Sequence, residues 1–258
     1  MDAQKKVAEW NGHECAYFDI GSGEPVLLLH GFASNAATNW IHTGWVKVLN
    51  EAGYRCIAVD QRGHGDSKKY YTAEDYGPDI FAADAIGLLD HLGIEKCRVL
   101  GFSMGARVTA WIAAHYPERM SQAVFGGMGT RLTASGKNYE EIAKALEVDD
   151  PSTITDSAGA SFRRFADRTN SDRLALAACI RPSREKITDD MVRTIVVPVL
   201  VAVGDEDEIA GLPGPLADMM PNAEAHLMPG LDHMRSTGAA PFKEKVVSFF
   251  AEGSGVHG

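Results

Sequence analysis

The sequence predicts an α/β fold: a mostly parallel central sheet with helices on both faces, an antiparallel hairpin at the N-terminal end and a small helical cap. Three observations predict it. Short apolar runs at 26–29, 56–59, 98–100, 123–125 and 198–203, each closed by Gly, Asp or His, suit strands buried on both faces. Between them lie helical patterns at 45–53, 79–93, 104–115, 212–220 and 241–252. Strand and helix alternate along most of the chain, as parallel strands require, so functional groups are expected at the carboxyl ends of the strands.

Each element has its own local reason. Residues 7–10 and 14–19 flank Asn11-Gly12, the strongest short turn signal, and read as a hairpin. In 79–93, Ile80, Ala83, Ile86, Leu89 and Leu92 recur about every third position, and Gly93 suits a helix stop. Residues 130–184 break the alternation, being far longer than an ordinary connection. They are expected to form a helical cap inserted into a core made of 1–129 and 185–258. Ala158, Phe162 and Phe165, and then Leu174, Ala178 and Arg181, fall at helical spacing and predict the faces that the cap lays on the core. Arg163, Arg164 and Arg168 read as a solvated face.

The chain has 258 residues, of which 45% are hydrophobic and 23% charged, close to the soluble globular average, so one large core is expected. A net charge of −10 repels phosphate backbones and anionic lipid, so neither nucleic acid nor membrane is an expected partner. No apolar stretch has the length of a signal peptide or reaches the ~18 residues of a membrane helix, and a cytoplasmic location is expected. Cys15, Cys56, Cys97 and Cys179 lack C-x-x-C spacing and are assigned no chemistry. Gly21-Ser22-Gly23 and Gly127-Met128-Gly129 lack the third glycine of a phosphate-binding loop, and metal-ligand spacing is absent. Neither a cofactor nor a metal is expected.

The chemistry concentrates in Gly101-Phe102-Ser103-Met104-Gly105, where an apolar run turns directly into a helical one. A bend that sharp holds a serine hydroxyl out at a helix N-terminus, where amide donors favour developing negative charge. A serine hydroxyl is a weak nucleophile and needs a base, with a third group to orient that base. His233, in Gly230-Leu231-Asp232-His233 after the run 225–228, is the candidate base. Gly204-Asp205-Glu206-Asp207-Glu208 follows a strand end and offers the acid; Asp207 is favoured over Asp205 because the extra residues let the loop turn inward, though spacing alone leaves both open. An oxyanion formed at Ser103 also needs fixed donors. The amides of Met104 and of Phe32, in His30-Gly31-Phe32, are the candidates.

In this order the motifs resemble the α/β-hydrolase fold family. His30-Gly31-Phe32 is similar to its oxyanion loop, and Asp60-Gln61-Arg62-Gly63-His64-Gly65-Asp66-Ser67 to its D-x-R-G-x-G-x-S turn, which usually braces the core. Gly101 to Gly105 resembles its nucleophile elbow, Gly204 to Asp207 its acid loop and Gly230 to His233 its histidine loop. The resemblance implies a cofactor-free serine hydrolase, carboxylesterase-like or lactonase-like, acting through an acyl-enzyme on Ser103, His233 and Asp207. It leaves as alternatives a carbon–carbon bond hydrolase or perhydrolase-like enzyme, a lyase, and a small-molecule receptor without turnover. Members with an aspartate nucleophile, such as epoxide hydrolases, are disfavoured by the serine at the apex.

Overall fold

The computed structural model describes residues 4–10, 12–134, 139–182 and 187–252. Among these, eight strands form one sheet: β1 (Lys6–Trp10), β2 (His13–Ile20), β3 (Glu24–Leu29), β4 (Tyr54–Val59), β5 (Cys97–Phe102), β6 (Met120–Gly126), β7 (Val199–Gly204) and β8 (Ala223–Met228). Their spatial order is β1-β2-β4-β3-β5-β6-β7-β8. The hairpin β1/β2 and the pair β2/β4 are antiparallel, and every other neighbouring pair is parallel. Asn11 of the hairpin turn, the tail 253–258 and residues 183–184 at the end of the expected cap lie outside the described residues.

Side-chain alternation along the central strands divides the core in two. Leu27, Leu29, Val99, Val199 and Val201 face one layer, with helices α2 (Pro78–His91) and α3 (Met104–His115) over it. Val26, Leu28, Leu100, Leu200 and Ala202 face the other, against Trp45 and Leu49 of α1 (Trp45–Glu51) and Phe242 and Val246 of the C-terminal helix, Ala240–Glu252. Apolar runs without alternation are the signature of such doubly covered strands. Cys15, Cys56 and Cys97 are buried in these layers, where burial pushes each thiol up to about 12 and leaves it a small hydrophobe.

Between β6 and β7 run α4 (Glu140–Glu147), α5 (Ser157–Arg168), α6 (Arg173–Ile180) and the short α7 (Asp189–Arg193). Asp156 and Asp172 cap α5 and α6 by accepting from the amides of Gly159 and Ala175. The expected faces hold in part: Phe162 and Phe165 are half-buried and pack against the core, and Ala178 is buried in it. Ala158 and Leu174 are exposed, and the buried positions are Gly159, Arg163 and Ala166 on α5 and Ala175 to Ala178 with Ile180 on α6. On α5, Arg163, expected in solvent, is only 5% exposed. Its guanidinium donates to the carbonyls of Ala145 (3.2 Å) and Val148 and pairs with Asp167 at 3.0 Å, which pins α4 against α5. Arg164 bonds to Ser161 and Arg168 lies over the Phe165 ring.

Two further differences are local. The run 212–220 yields only α8 (Pro213–Ala217). His233, expected in a loop, opens a one-turn helix, α9 (His233–Ser236), whose N-cap Asp232 accepts from the Arg235 amide at 2.7 Å. The C-terminal helix is α10 (Ala240–Glu252).

Candidate active site

The chain crosses from β4 back over β3 to reach β5, so the loops after β3 and β5 diverge at a topological switch point, where open α/β sheets place their ligands. Ser103 stands there. Its φ of 54° and ψ of −110° lie outside the usual regions for a residue with a Cβ. The surroundings hold it in place: its amide donates to the Gly126 carbonyl at 2.8 Å, and α3 leaves β5 with no intervening residue but the serine. That closeness explains the paired glycines. A Cβ at 101 would strike the Gly105 carbonyl and the Thr109 hydroxyl, and a Cβ at 105 would strike the Leu29 carbonyl.

Three of the expected side chains form one hydrogen-bonded row. His233 Nε2 lies 3.1 Å from Ser103 Oγ, and His233 Nδ1 lies 2.7 Å from Asp207 Oδ2. The Asp207 side chain is fully buried, and its Oδ1 accepts from the amides of Ile209 and Ala210, each at 2.9 Å. An ionised carboxylate only accepts, so Nδ1 carries the proton and Nε2 turns a lone pair to the serine hydroxyl. Phe102 supports the imidazole from the β5 side with ring centroids 5.2 Å apart. Asp205 takes another part: its Oδ1 accepts from the Gly230 amide at 2.6 Å, tying the acid loop to the histidine loop.

The loop after β3 is braced from several sides. The Gly31 amide donates to Asn39 Oδ1 at 3.1 Å. His30 accepts the Gln61 amide at Nε2 (3.0 Å), so Nδ1 holds the proton and donates to the Gly31 carbonyl at 2.8 Å. Gln61 Nε2 donates in return to the His30 carbonyl at 2.6 Å. His30 is fully buried, and burial drives its pKa below the ordinary imidazole value, which suits this neutral role. A trans peptide sets its N–H opposite its C=O, so fixing the Gly31 carbonyl fixes the Phe32 amide. Among the described residues the amides of Phe32 and Met104 have no acceptor in the protein. The turn 60–67 braces this region: buried Asp60 accepts from the amides of Ala36 and Asp66 and pairs with Lys5.

Gln61 and Asn39 are parts that sequence reasoning missed, and Asp205, weighed there only as the alternative acid, is a loop tie instead. Gln61 fills a variable slot of the turn motif, and Asn39 lies in a buried π-helical turn, Ala37–Ile41, that no periodicity announces. Phe32 and Met104 also line a cavity of about 50 Å³. Phe32, Phe81, Met104, Val108, Cys179 and Ile187 give it a mainly apolar wall. The Phe32 ring packs edge-on against Phe162 of α5 at 5.6 Å, which brings the excursion between β6 and β7 to the rim of the site.

This fold, with the strained serine at its switch point, defines a class, and comparison agrees. Residues 24–130 match the family model described as alpha/beta hydrolase fold. A Synechocystis sp. protein named "Putative non-heme chloroperoxidase" is 30% identical over 250 residues, covering 84% of this chain and 87% of the relative. The chain belongs to the α/β hydrolase fold family. It is also similar to a 2-hydroxymuconate semialdehyde hydrolase of Pseudomonas putida, at 28% identity over 268 residues that cover 95% and 94% of the two chains. Among solved structures, a meta-cleavage product hydrolase (CumD) of Pseudomonas fluorescens superposes with a TM-score of 0.73 at 25% identity, covering 96% of this chain and 98% of the other. No described helix is long and apolar enough to cross a membrane.

Proposed function

We propose that the chain is a cofactor-free serine hydrolase that cleaves small carboxylic esters or lactones through an acyl-enzyme. The observation that carries this reading is the row from Ser103 Oγ through His233 to Asp207, at 3.1 and 2.7 Å, with one imidazole lone pair facing the hydroxyl. As the serine oxygen bonds to the carbonyl carbon, His233 Nε2 takes its proton, and buried Asp207 offsets the imidazolium charge. The carbonyl oxygen gains an electron pair and is held by the amides of Phe32 and Met104, which are oriented before the charge appears. The imidazolium then protonates the leaving oxygen as its bond to carbon breaks. Water repeats the sequence on the ester of Ser103 and releases the acid.

The cavity size narrows the substrate. At roughly 10–15 Å³ for each water-sized group, the 50 Å³ lined by Phe32 and Met104 takes about three to five such groups, which suits a short acyl chain. We read α4 to α6 as the cap over it. A second reading, hydrolysis of a carbon–carbon bond beside a carbonyl with the same residues, is favoured by the likeness to the semialdehyde hydrolase.

Hydrolysis of p-nitrophenyl acetate and of a ring-cleavage dienol ketone tests both. Ser103-dependent turnover of the ester with the dienol ketone untouched supports the ester reading. The reverse preference transfers the site to the second, and no turnover of either, with Ser103 unreactive, defeats the enzyme reading and favours a receptor.

A further inference from the structure

We propose that Thr169, seconded by Ser171, is a positioning residue for the Phe32 amide, so that the helical excursion between β6 and β7 sets the oxyanion donor as well as covering the site. This rests on the serine hydrolase reading above. Thr169 follows α5, and its Oγ1 donates to the carbonyl of Ala33 at 2.9 Å. Its single proton also has the carbonyls of Phe165 and Ala166 within 3.0 and 3.1 Å, and Ala33 is the nearest of the three. Ser171 Oγ lies 2.9 Å from Thr169 Oγ1 and 3.4 Å from the same Ala33 carbonyl. A proton given by Ser171 to Thr169 leaves the threonine proton for Ala33.

That carbonyl is the outer end of a relay. The peptide joining Ala33 to Ser34 presents its C=O to Thr169 and its N–H to the Gly31 carbonyl, at 3.2 Å. The peptide joining Gly31 to Phe32 accepts that bond at its C=O and carries the Phe32 N–H on its opposite side. Both units are planar, so a hydroxyl on the excursion is linked to the donor by two rigid plates and two hydrogen bonds, its own to Ala33 and that of Ser34 to Gly31. The relay has a local reason to need an anchor. Ala33 is fully buried at a φ of 59°, a left-handed conformation that a residue with a Cβ resists. Residues 31–34 close a turn of the kind that normally takes glycine at this third position. With alanine there, the hydroxyl bond at the Ala33 carbonyl opposes relaxation of the turn.

Thr169→Val keeps the shape and removes the O–H. Its expected effect is a fall in kcat on p-nitrophenyl acetate of about tenfold, the scale of a slightly displaced catalytic donor, with KM within about twofold. Binding of a boronic acid that mimics the tetrahedral species should weaken by the same factor as kcat/KM. Thr169→Ser should restore both, and Ser171→Ala, which leaves Thr169 in place, should shift both in the same direction by less. The second variant serves if Thr169→Val does not fold. A folded Thr169→Val with unchanged kcat, a rise in KM alone, or a loss that serine does not restore overturns the proposal while leaving the hydrolase reading intact. A wild-type enzyme without Ser103-dependent turnover overturns both.

Discussion

Asp207 meets His233 through one carboxylate oxygen only: Oδ2 stands 2.7 Å from Nδ1, while Oδ1 is occupied by the amides of Ile209 and Ala210. The carboxylate is thereby fixed in rotation before it meets the imidazole. Asp205, two residues earlier, spends its Oδ1 on the Gly230 amide.

The two acids should therefore separate on mutation. Asp207→Asn keeps an oxygen for the two amides but turns an NH₂ toward His233, which selects the tautomer unable to act as base. Turnover should fall by about four orders of magnitude with the fold retained. Asp205→Ala loosens one loop and should cost far less. Steady-state kcat of the two purified variants decides it, and equal losses would contradict the assignment.

The elbow makes a stability prediction. A Cβ at position 105 meets the backbone carbonyl of Leu29, which cannot swing away as a side chain could. Gly105→Ala should destabilise by about 3 kcal/mol, the upper part of the overpacking range, read as a lowered urea midpoint. An unchanged midpoint would mean that α3 sits farther from β3 than described.

Acid sensitivity follows from two buried histidines outside the Ser103–His233–Asp207 row: His13 in the hairpin and His64, whose ring packs against His30 and Phe32. Burial lowers His13 to about 4 and His64 to about 3, against about 6.5 for the unfolded chain. Between pH 6.5 and 4 the unfolded chain thus binds up to two protons at these positions that the folded chain refuses. Stability is then full above 6.5 and falls as the pH falls, by about 1.4 kcal/mol per unit for each histidine. Urea titrations at pH 7.5 and 5 measure this, and His64→Phe should flatten the slope by about one proton. A slope of zero would contradict the burial.

Chain-length preference tests the cavity. Phe81 forms part of its wall, so Phe81→Ala should move the best p-nitrophenyl ester from about butyrate toward longer chains, each methylene being worth about 1 kcal/mol or more. An unaltered ranking across the ester series would place the acyl group elsewhere.

Much of the fold was legible because central parallel strands write themselves as unbroken apolar runs, and the site because glycine spacing betrays a tight strand–helix turn. Ser103 and His233 announce themselves by position after strand ends. Spacing alone left Asp205 and Asp207 open, because the choice depends on which loop carbonyls and amides turn inward. The faces of α5 and α6 were read only in part, Phe162, Phe165 and Ala178 packing inward as expected, for a related reason. An arginine counts as solvent-facing in any pattern, yet Arg163 is buried because carbonyls freed at the end of α4 receive it. Gln61, Asn39 and Thr169 act through backbone groups of distant segments, and such partners leave no local periodicity.

The central claim is that Ser103 is a nucleophile made reactive by His233. Intact-protein mass spectrometry after diisopropyl fluorophosphate treatment tests it most directly. One adduct on Ser103 in the wild type, none in Ser103→Ala and strongly slowed labelling in His233→Ala is the predicted result. A wild type that stays unlabelled, or equal labelling of Ser103→Ala, would contradict it.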